Sequence, residues 1–232
     1  MKTIEGVDKV NTPYKITLLH KPIVHILLIV IIGLIAYSNT FYVPFQFDDY
    51  NYIVDNHKLR DLSNFWSPTG SRWAGFLTFA LNYKFGGLNV TDYHIVNIII
   101  HILNALLVYR LVLLTFQTPY FRCQSVKVSE CQSGGVSESQ SFDTLILGYS
   151  DTKFVALFSS LLFVSHPIQT QAVTYIVQRF TSLATTFYLL SLVMYVKWRL
   201  KSEQQSNSTS EQQVKKTILA QLRCRTSALL LY

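Results

Sequence analysis

Four runs of apolar residues, separated by polar and aromatic segments, dominate the pattern of this sequence. They cover residues 22–37, about 93–116, about 154–164 and 179–200. Because a membrane-spanning helix needs about 20 predominantly apolar residues, the pattern predicts an all-α integral membrane protein with about four transmembrane helices. The third run is the shortest, and its continuation IQTQAVTYIV either completes the span or lies along the membrane surface.

Shorter patterns lie between and after these runs. NHKLRDLSNFW, residues 56–66, has apolar residues at helical spacing and predicts an amphipathic helix at the membrane interface. SRWAGFLTFALNYKFGG, residues 71–87, predicts a second short helix on the same surface. SEQQSNSTSEQQ, residues 202–213, predicts a polar linker. The closing TSALLLY predicts the opening of a further hydrophobic helix, so we expect a truncated chain.

Composition supports a membrane protein. Half of the residues are hydrophobic, only 14% are charged, and the mean hydropathy is positive. The net charge of +7 raises nucleic-acid binding as a function, but no basic face carries stacking aromatics, so we expect a lipid bilayer and no nucleic acid as partner. The three cysteines lack metal-ligand spacing, and the sequence predicts neither a metal site nor another cofactor.

The distribution of positive charge predicts the orientation and the domains. With residues 1–21 in the cytosol, the insertion at 117–152 and the tail at 201–232 also lie inside, and these segments hold most of the 20 Lys and Arg residues. The transmembrane region covers 22–200, and its outer loop covers 39–92. That loop then faces the bacterial periplasm, or the lumen of the endoplasmic reticulum in a eukaryote.

A polar stripe runs along the second apolar run. His94, Asn97, His101 and Asn104 fall within an arc of about 80° on a helix. Polar groups avoid lipid, so we expect the stripe to face the interior of the bundle or a wet cavity. Hydrogen bonds between helices and contact with a substrate head group are both open as its role.

Two neighbouring carboxylates, Asp48 and Asp49, lie among aromatic residues just after the first run. Three interpretations are open from the residues alone. The pair caps a helix or lies solvated in a loop; it binds Mg or Mn, although few other oxygen ligands are visible; or one carboxylate is a general base whose pKa its neighbours adjust.

A second outer cluster, SHPIQTQAVTYIVQRF, covers residues 165–180. The residue before a proline is biased out of the helical region, so His166-Pro167 predicts the end of the third helix. Arg179 lies outside the favoured charge pattern, and we expect it to have an anionic partner: a lipid phosphate, an Asp or a substrate phosphate.

Four motifs occurring in order carry a family resemblance: YSNTFYVPFQFDDYNYIVDN, SRWAGFLTFALNY, YHIVNIIIHILNALLVY and SHPIQTQAVTYIVQRFTSLA. The chain resembles the transmembrane and tetratricopeptide-repeat O-mannosyltransferases, relatives of the protein O-mannosyltransferases. The resemblance covers roughly residues 37–200 apart from the insertion. It implies the N-terminal part of a C-type glycosyltransferase fold, of the bacterial type.

The resemblance also implies an activity: transfer of a sugar such as mannose from a polyprenyl-phosphate donor to a hydroxyl of a protein or glycan acceptor, on the non-cytosolic face. By position, the base falls on Asp48 or Asp49, with Asp48 preferred. Residues suited to the lipid phosphate or the sugar are Arg72, His94, His166 and Arg179. Animal members usually carry Glu where this chain has Gln171, so a second acidic role is not expected.

Two other functions stay open at this stage. The first alternative is a catalytically inactive membrane scaffold descended from such an enzyme. The second, with less support, is a small transporter component. The polar stripe favours a transporter, but the sequence shows neither a charged relay nor an inverted repeat.

Overall fold

The computed structural model describes residues 21–118, 121 and 149–229, with side chains for all of these except 149–151 and 207–229. The predicted N-terminal segment at 1–20, most of the predicted insertion and the last three residues lie outside the described residues. So do Cys123 and Cys131. All regular structure in the described part of the chain is helical.

Six α-helices follow one another in the described part of the chain. We label them α1 (Pro22–Ala36), α2 (Trp73–Gly86), α3 (Val90–Phe116), α4 (Tyr149–Ser165), α5 (Thr170–Thr174) and α6 (Arg179–Leu229). Pro22 suits the start of α1 because its fixed φ fits the first helical position, where no backbone donor is needed. Asn89 caps α3, since its side chain accepts the backbone N–H of Thr91.

Helix α3 is the centre of the bundle and packs against α1, α4 and α6. The start of α1 lies beside the C-terminal half of α3, where His25 Nδ1 is 2.9 Å from the Tyr109 hydroxyl. At the C-terminal end of α1, Tyr37 packs edge-on against His101. Helix α1 is therefore antiparallel to α3. The end of α4 also meets His101, whereas α6 begins beside Asn97 and runs parallel to α3. One end of the bundle thus gathers the end of α1, the start of α3, the end of α4 and the start of α6.

The apolar faces of α1 and α3 point away from the bundle. On α1, Ile23, Leu27, Ile31 and Ile35 are exposed at a four-residue spacing, while the opposite face, with His25 and Gly33, is buried. On α3, Ile95, Ile99 and Leu103 are exposed and the polar stripe is buried. This arrangement is the reverse of a water-soluble helix bundle, and it is typical of helices surrounded by lipid.

Two segments are long and apolar enough to cross a membrane: Val90–Phe116 and Ile176–Ser206. Two further apolar helices, Pro22–Ala36 and Thr152–Ser165, are shorter than the roughly 20 residues that a span needs. The prediction of an all-α fold is thus confirmed for the described part of the chain, which holds two candidate membrane-spanning helices; the count of four transmembrane helices stays a prediction.

The loop at residues 39–92, which the sequence predicts to face outward, differs from its prediction. Residues 56–66 form two 3₁₀ turns, His57–Arg60 and Leu62–Phe65, in place of one amphipathic helix. Asp61 interrupts the helix because its backbone is extended and its side chain accepts the N–H of Ser63. That short hydrogen bond also lowers the pKa of the Asp61 carboxyl. The second predicted helix of this loop is present as α2.

Two further differences concern the second half of the chain. IQTQAVTYIV does not extend α4; it folds into Pro167–Gln169, α5 and Ile176–Gln178, and it turns back against α3. The prediction that His166-Pro167 ends the preceding helix is confirmed. The stretch at 202–213, predicted as a polar linker, is helical, because α6 continues through it to Leu229.

Gly75 on α2 sets how closely this helix approaches α6, and we expect Gly75→Ala to destabilise the protein. A Cβ at this position would collide with the aromatic ring of Phe180. Overpacking of this kind costs about 1–3 kcal/mol, measurable as a lower unfolding temperature in detergent micelles. Adding Phe180→Leu makes room for the methyl group, so the double variant should be more stable than the sum of the two single effects predicts. Additive effects would contradict the collision.

Candidate functional site

The polar stripe of α3 is fully enclosed and holds the irregular backbone around it. Asn97 Nδ2 donates to the carbonyls of Val173 (3.2 Å) and Ile176 (3.4 Å). His101 Nε2 is 3.1 Å from the Val164 carbonyl, and Asn104 Nδ2 donates to the Ser182 carbonyl. Irregular backbone inside a bundle needs such partners because water is excluded. The prediction that the stripe faces the interior is confirmed, and its hydrogen bonds go to other segments of the bundle.

Arg179 is 0% exposed, and its partners are neutral. Its Nε donates to Asn97 Oδ1 at 2.7 Å, and its two terminal nitrogens donate to neutral oxygens on α2 and α3: Asn82 Oδ1 (2.6 Å), Thr78 Oγ1 (3.4 Å) and the Tyr93 carbonyl (2.9 Å). The guanidinium also lies 4.4 Å from the ring centre of Phe79. Of the three anionic partners expected, an Asp is absent among the described residues, because neutral oxygens and an aromatic face surround the guanidinium.

Asp49 joins the first outer loop to the segment before α6. Only 1% of the residue is exposed, and its two carboxylate oxygens accept the backbone N–H groups of Val177 (2.8 Å) and Gln46 (3.0 Å). Burial raises the pKa of the Asp49 carboxyl, an effect that these two hydrogen bonds and the nearby His94 oppose. Asp49 thus binds two segments of the chain that are 128 residues apart.

Asp48, its neighbour, is exposed. Its backbone N–H donates to the hydroxyl of Tyr175 at 3.1 Å. The preceding Phe47 has a φ of +44°, which is unfavourable for a bulky side chain, and its ring is 83% exposed. The turn that presents Asp48 is therefore strained and held from both sides. Such strain persists where the surroundings impose it, and it occurs often at functional sites.

Arg72 lies exposed at the N-terminal end of α2. Its guanidinium is 5.8 Å from the ring centre of Tyr52 and 5.3 Å from that of Phe180, and Nη1 is 3.5 Å from the Tyr52 hydroxyl. The two rings support the cation without neutralising it. Arg72 is therefore free to bind an anion, in contrast to Arg179.

The two histidines have different surroundings. His94 is buried at the start of α3; Nε2 is 2.8 Å from the Val43 carbonyl, and Nδ1 has no hydrogen-bond partner. With Nε2 donating to the carbonyl, Nδ1 carries a lone pair. His166 is exposed and caps the turn Pro167–Gln169 through Nδ1, which accepts the Ile168 N–H at 3.2 Å.

The candidate site residues are thus only partly brought together. Asp48 and Asp49 meet the segment before α6, and Asp49, His94 and Arg179 form a series in which neighbours interact electrostatically. The guanidinium of Arg72 contacts the ring of Phe180, the residue that follows Arg179 in the sequence. His166 bonds only to its own turn among the described residues. No group of three or more His, Cys, Asp or Glu side chains that could hold a metal ion occurs in the part of the chain that the structure describes.

Sequence reasoning missed three polar residues here. Tyr175 contacts Asp48, and Asn82 and Thr78 hold Arg179. One signal for the α2 pair was available: Thr78 and Asn82 are four residues apart, and therefore lie on one face of an otherwise apolar helix. Tyr175 gave no comparable signal, since tyrosine is common near membrane surfaces.

The arrangement offers an exposed carboxylate and an exposed guanidinium at the same end of the bundle. A carboxylate can take a proton from a hydroxyl, and a guanidinium binds phosphate with strong, directional hydrogen bonds. The buried residues between them contact protein only. The site is therefore suited to activating a hydroxyl next to an anionic group near the ends of the helices.

Comparison with known proteins gave several relatives. Protein O-mannosyl-transferase TMTC2 of Homo sapiens is 31% identical over 182 residues, and protein O-mannosyl-transferase tmtc2 of Xenopus laevis is 33% identical over 184; both alignments cover 72% of this chain. Protein O-mannosyl-transferase Tmtc3 of Drosophila melanogaster is 29% identical over 71% of the chain. The chain spans about 18% of the length of these relatives. No family model and no solved structure matches the sequence.

Proposed function

We propose that this chain takes part in transferring a mannosyl or similar hexosyl group from a polyprenyl-phosphate donor to a hydroxyl of a protein or glycan acceptor. The premise is that the chain is a homologue of the TMTC protein O-mannosyl-transferases. The observation that carries the proposal is the exposed Asp48, which a second outer segment holds at the common end of the helices. A carboxylate there can meet both an acceptor from solution and a donor from the bilayer.

In the proposed reaction Asp48 is the general base. Its carboxylate takes the proton of the acceptor hydroxyl while that oxygen attacks the anomeric carbon. A new bond forms between the acceptor oxygen and the anomeric carbon, and the bond from this carbon to the phosphate oxygen breaks. The polyprenyl phosphate leaves with the electron pair, and the proton on Asp48 passes to water.

Arg72 is the proposed ligand of the donor phosphate. The leaving phosphate gains negative charge as its bond to the sugar breaks, and a guanidinium nearby stabilises that charge. Arg72 is exposed, and its partners are two aromatic rings and one hydroxyl. Arg179 is enclosed, so we assign it no contact with the phosphate. The exposed His166 remains a candidate for the sugar, whereas His94 is enclosed as Arg179 is, and we assign it no contact with the sugar.

For the membrane topology we propose four crossings by α1, α3, α4 and α6, in the manner of the N-terminal part of a C-type glycosyltransferase. Their alternating directions along the bundle support this topology, because each connection then joins adjacent ends. The bias of Lys and Arg supports residues 1–21, 117–152 and 201–232 on the cytosolic side and 39–92 on the opposite side. A bacterial inner membrane or the endoplasmic reticulum membrane would present the site to the periplasm or the lumen.

The test is a transfer assay in membranes that contain the protein, with a mannosyl-phosphate polyprenol as donor and a hydroxyl-bearing peptide as acceptor. We expect transfer from this donor and none from a nucleotide sugar. Because a hydrogen bond to a charged group contributes about 1.5–3 kcal/mol, Arg72→Ala should raise the KM for the donor about tenfold or more. Arg60→Ala is the matched control, since Arg60 is an exposed arginine of the same loop. If the unaltered protein transfers no sugar from any lipid-linked donor, the proposal fails and the inactive scaffold takes its place.

A further inference from the structure

Tyr175 is a residue of the second outer segment that reaches the candidate base. Its hydroxyl oxygen accepts the backbone N–H of Asp48 at 3.1 Å, across 127 residues of sequence. Two positions later, the Val177 N–H donates to the buried carboxylate of Asp49 at 2.8 Å. The segment therefore holds the turn of Asp48 and Asp49 at two adjacent points.

The turn needs this support. Asp49 N–H bonds back to the Gln46 carbonyl, and Asp49 Oδ2 accepts the Gln46 N–H, which closes a tight loop around the strained Phe47. Neither of these bonds fixes the backbone of Asp48, the residue at the exposed point of the loop. Its amide has the Tyr175 hydroxyl as partner. The phenol therefore supplies a restraint that the local turn does not provide.

The hydroxyl of Tyr175 also keeps a hydrogen of its own. A phenol oxygen that accepts one hydrogen bond can still donate its proton to another group. Burial raises the pKa of Tyr175, and the carboxylates of Asp48 and Asp49 add to this rise, which the hydrogen bond from the Asp48 backbone N–H opposes. The phenol is therefore protonated at neutral pH and can donate to the Asp48 carboxylate or to an oxygen bound beside it.

We propose that Tyr175 is a positioning residue for the transfer reaction, which anchors the Asp48 backbone and orients its carboxylate toward the acceptor hydroxyl. The inference rests on the proposed function and adds the second outer segment to the site. Correct orientation of a catalytic group accounts for a large part of a rate enhancement, and small displacements are costly. Tyr175 therefore acts on the turnover rate more than on the binding of the donor.

The first test is Tyr175→Phe, which removes one oxygen and leaves the ring in place. We expect kcat to fall about tenfold or more, with the KM for the lipid donor unchanged within about twofold. Tyr50→Phe is the matched control, because Tyr50 is a half-exposed tyrosine of the loop that carries Asp48, and this variant should behave as the unaltered protein does. Tyr175→Phe with unaltered kcat overturns the proposal while the transfer activity itself stands.

The second test has a readout other than activity. Hydrogen exchange of the detergent-solubilised protein, followed on a peptide that covers residues 46–50, should show about one additional rapidly exchanging amide in Tyr175→Phe, because Asp48 N–H loses its partner. Tyr50→Phe should leave this amide protected. An unchanged exchange pattern in Tyr175→Phe contradicts the anchor. If the unaltered protein has no transfer activity, the proposed function falls, and the inference for Tyr175 falls with it.

Discussion

Asp48→Asn is expected to lower the rate of sugar transfer by about 100-fold to 10,000-fold, the contribution that a well-placed general base makes. The amide has nearly the shape of the carboxylate but cannot take a proton from the acceptor hydroxyl. Asp48 is exposed, and its anchor to Tyr175 runs through the backbone N–H, which the substitution keeps. The fold should therefore survive, and the loss should appear in kcat at saturating donor and acceptor.

Asp55→Asn is the matched control for this prediction. Asp55 is an exposed carboxylate of the same loop, seven residues from Asp48. The Asp55→Asn protein should therefore transfer sugar at the rate of the unaltered protein. The assay uses a mannosyl-phosphate polyprenol and compares initial rates at equal amounts of folded protein in the membrane. Equal losses in the two variants would mean that charge in the loop, and not the position of Asp48, is what matters.

Asp49→Asn separates the two carboxylates. Asp49 accepts one backbone N–H on each oxygen, and an Asn side chain has only one acceptor oxygen for these two donors. We assign Asp49 to holding the two outer segments together, so its substitution should weaken the fold near the turn and lower activity indirectly. Should Asp49→Asn abolish transfer in a fully folded protein while Asp48→Asn retains it, the base would be Asp49.

The helices were predictable because lipid imposes a strong constraint on sequence. A long apolar run has few alternatives to a helix when every backbone group must find a partner within its own segment. The polar stripe was predictable for the same reason, since four polar residues on one face have to turn inward. The period of 3.6 residues was enough to place His94, Asn97, His101 and Asn104 together.

The outer segments were harder to predict because their partners are distant in sequence. The helical spacing of residues 56–66 suggested one helix, but the Asp61 side chain competes for the backbone and breaks it into two turns. Tyr175 and Asp48 meet across 127 residues, and no local pattern carries that contact. The polar stretch after Leu200 lacked an apolar face, yet α6 continues through it to Leu229.

Arg179 shows where charge-based reasoning failed. An isolated arginine near a membrane surface suggested an anion, because burying an unpaired charge is costly. The structure meets that cost with several neutral oxygens and an aromatic face, supplied by α2 and α3. Asn82 and Asn97 each occupy one side of the guanidinium, and sequence alone does not reveal that both amide oxygens point to the same place. The cation is thereby enclosed without a carboxylate among its described partners.

Arg179→Met is expected to destabilise the protein by about 1–3 kcal/mol for each buried acceptor that is left without a donor. The substitution leaves two buried amide oxygens without a donor, Asn82 Oδ1 and Asn97 Oδ1, and the Tyr93 carbonyl loses one of its hydrogen bonds. Each loses a hydrogen bond that water cannot replace at this depth. The contact with the Phe79 ring is lost as well. Unfolding in mixed micelles, followed by helical circular dichroism, measures the difference.

Arg72→Met is the control, since an exposed arginine should change stability by no more than about 0.5 kcal/mol. A second variant tests the mechanism directly. If the orphaned amide causes the loss, replacing Asn82 by Leu in the Arg179→Met background should recover part of the stability, because an apolar pair no longer buries an unsatisfied oxygen. Asn97 should remain unchanged in this experiment, because its Nδ2 also holds the carbonyls of Val173 and Ile176. Equal stability of Arg179→Met and Arg72→Met would show that the enclosed guanidinium contributes nothing to the free energy of unfolding.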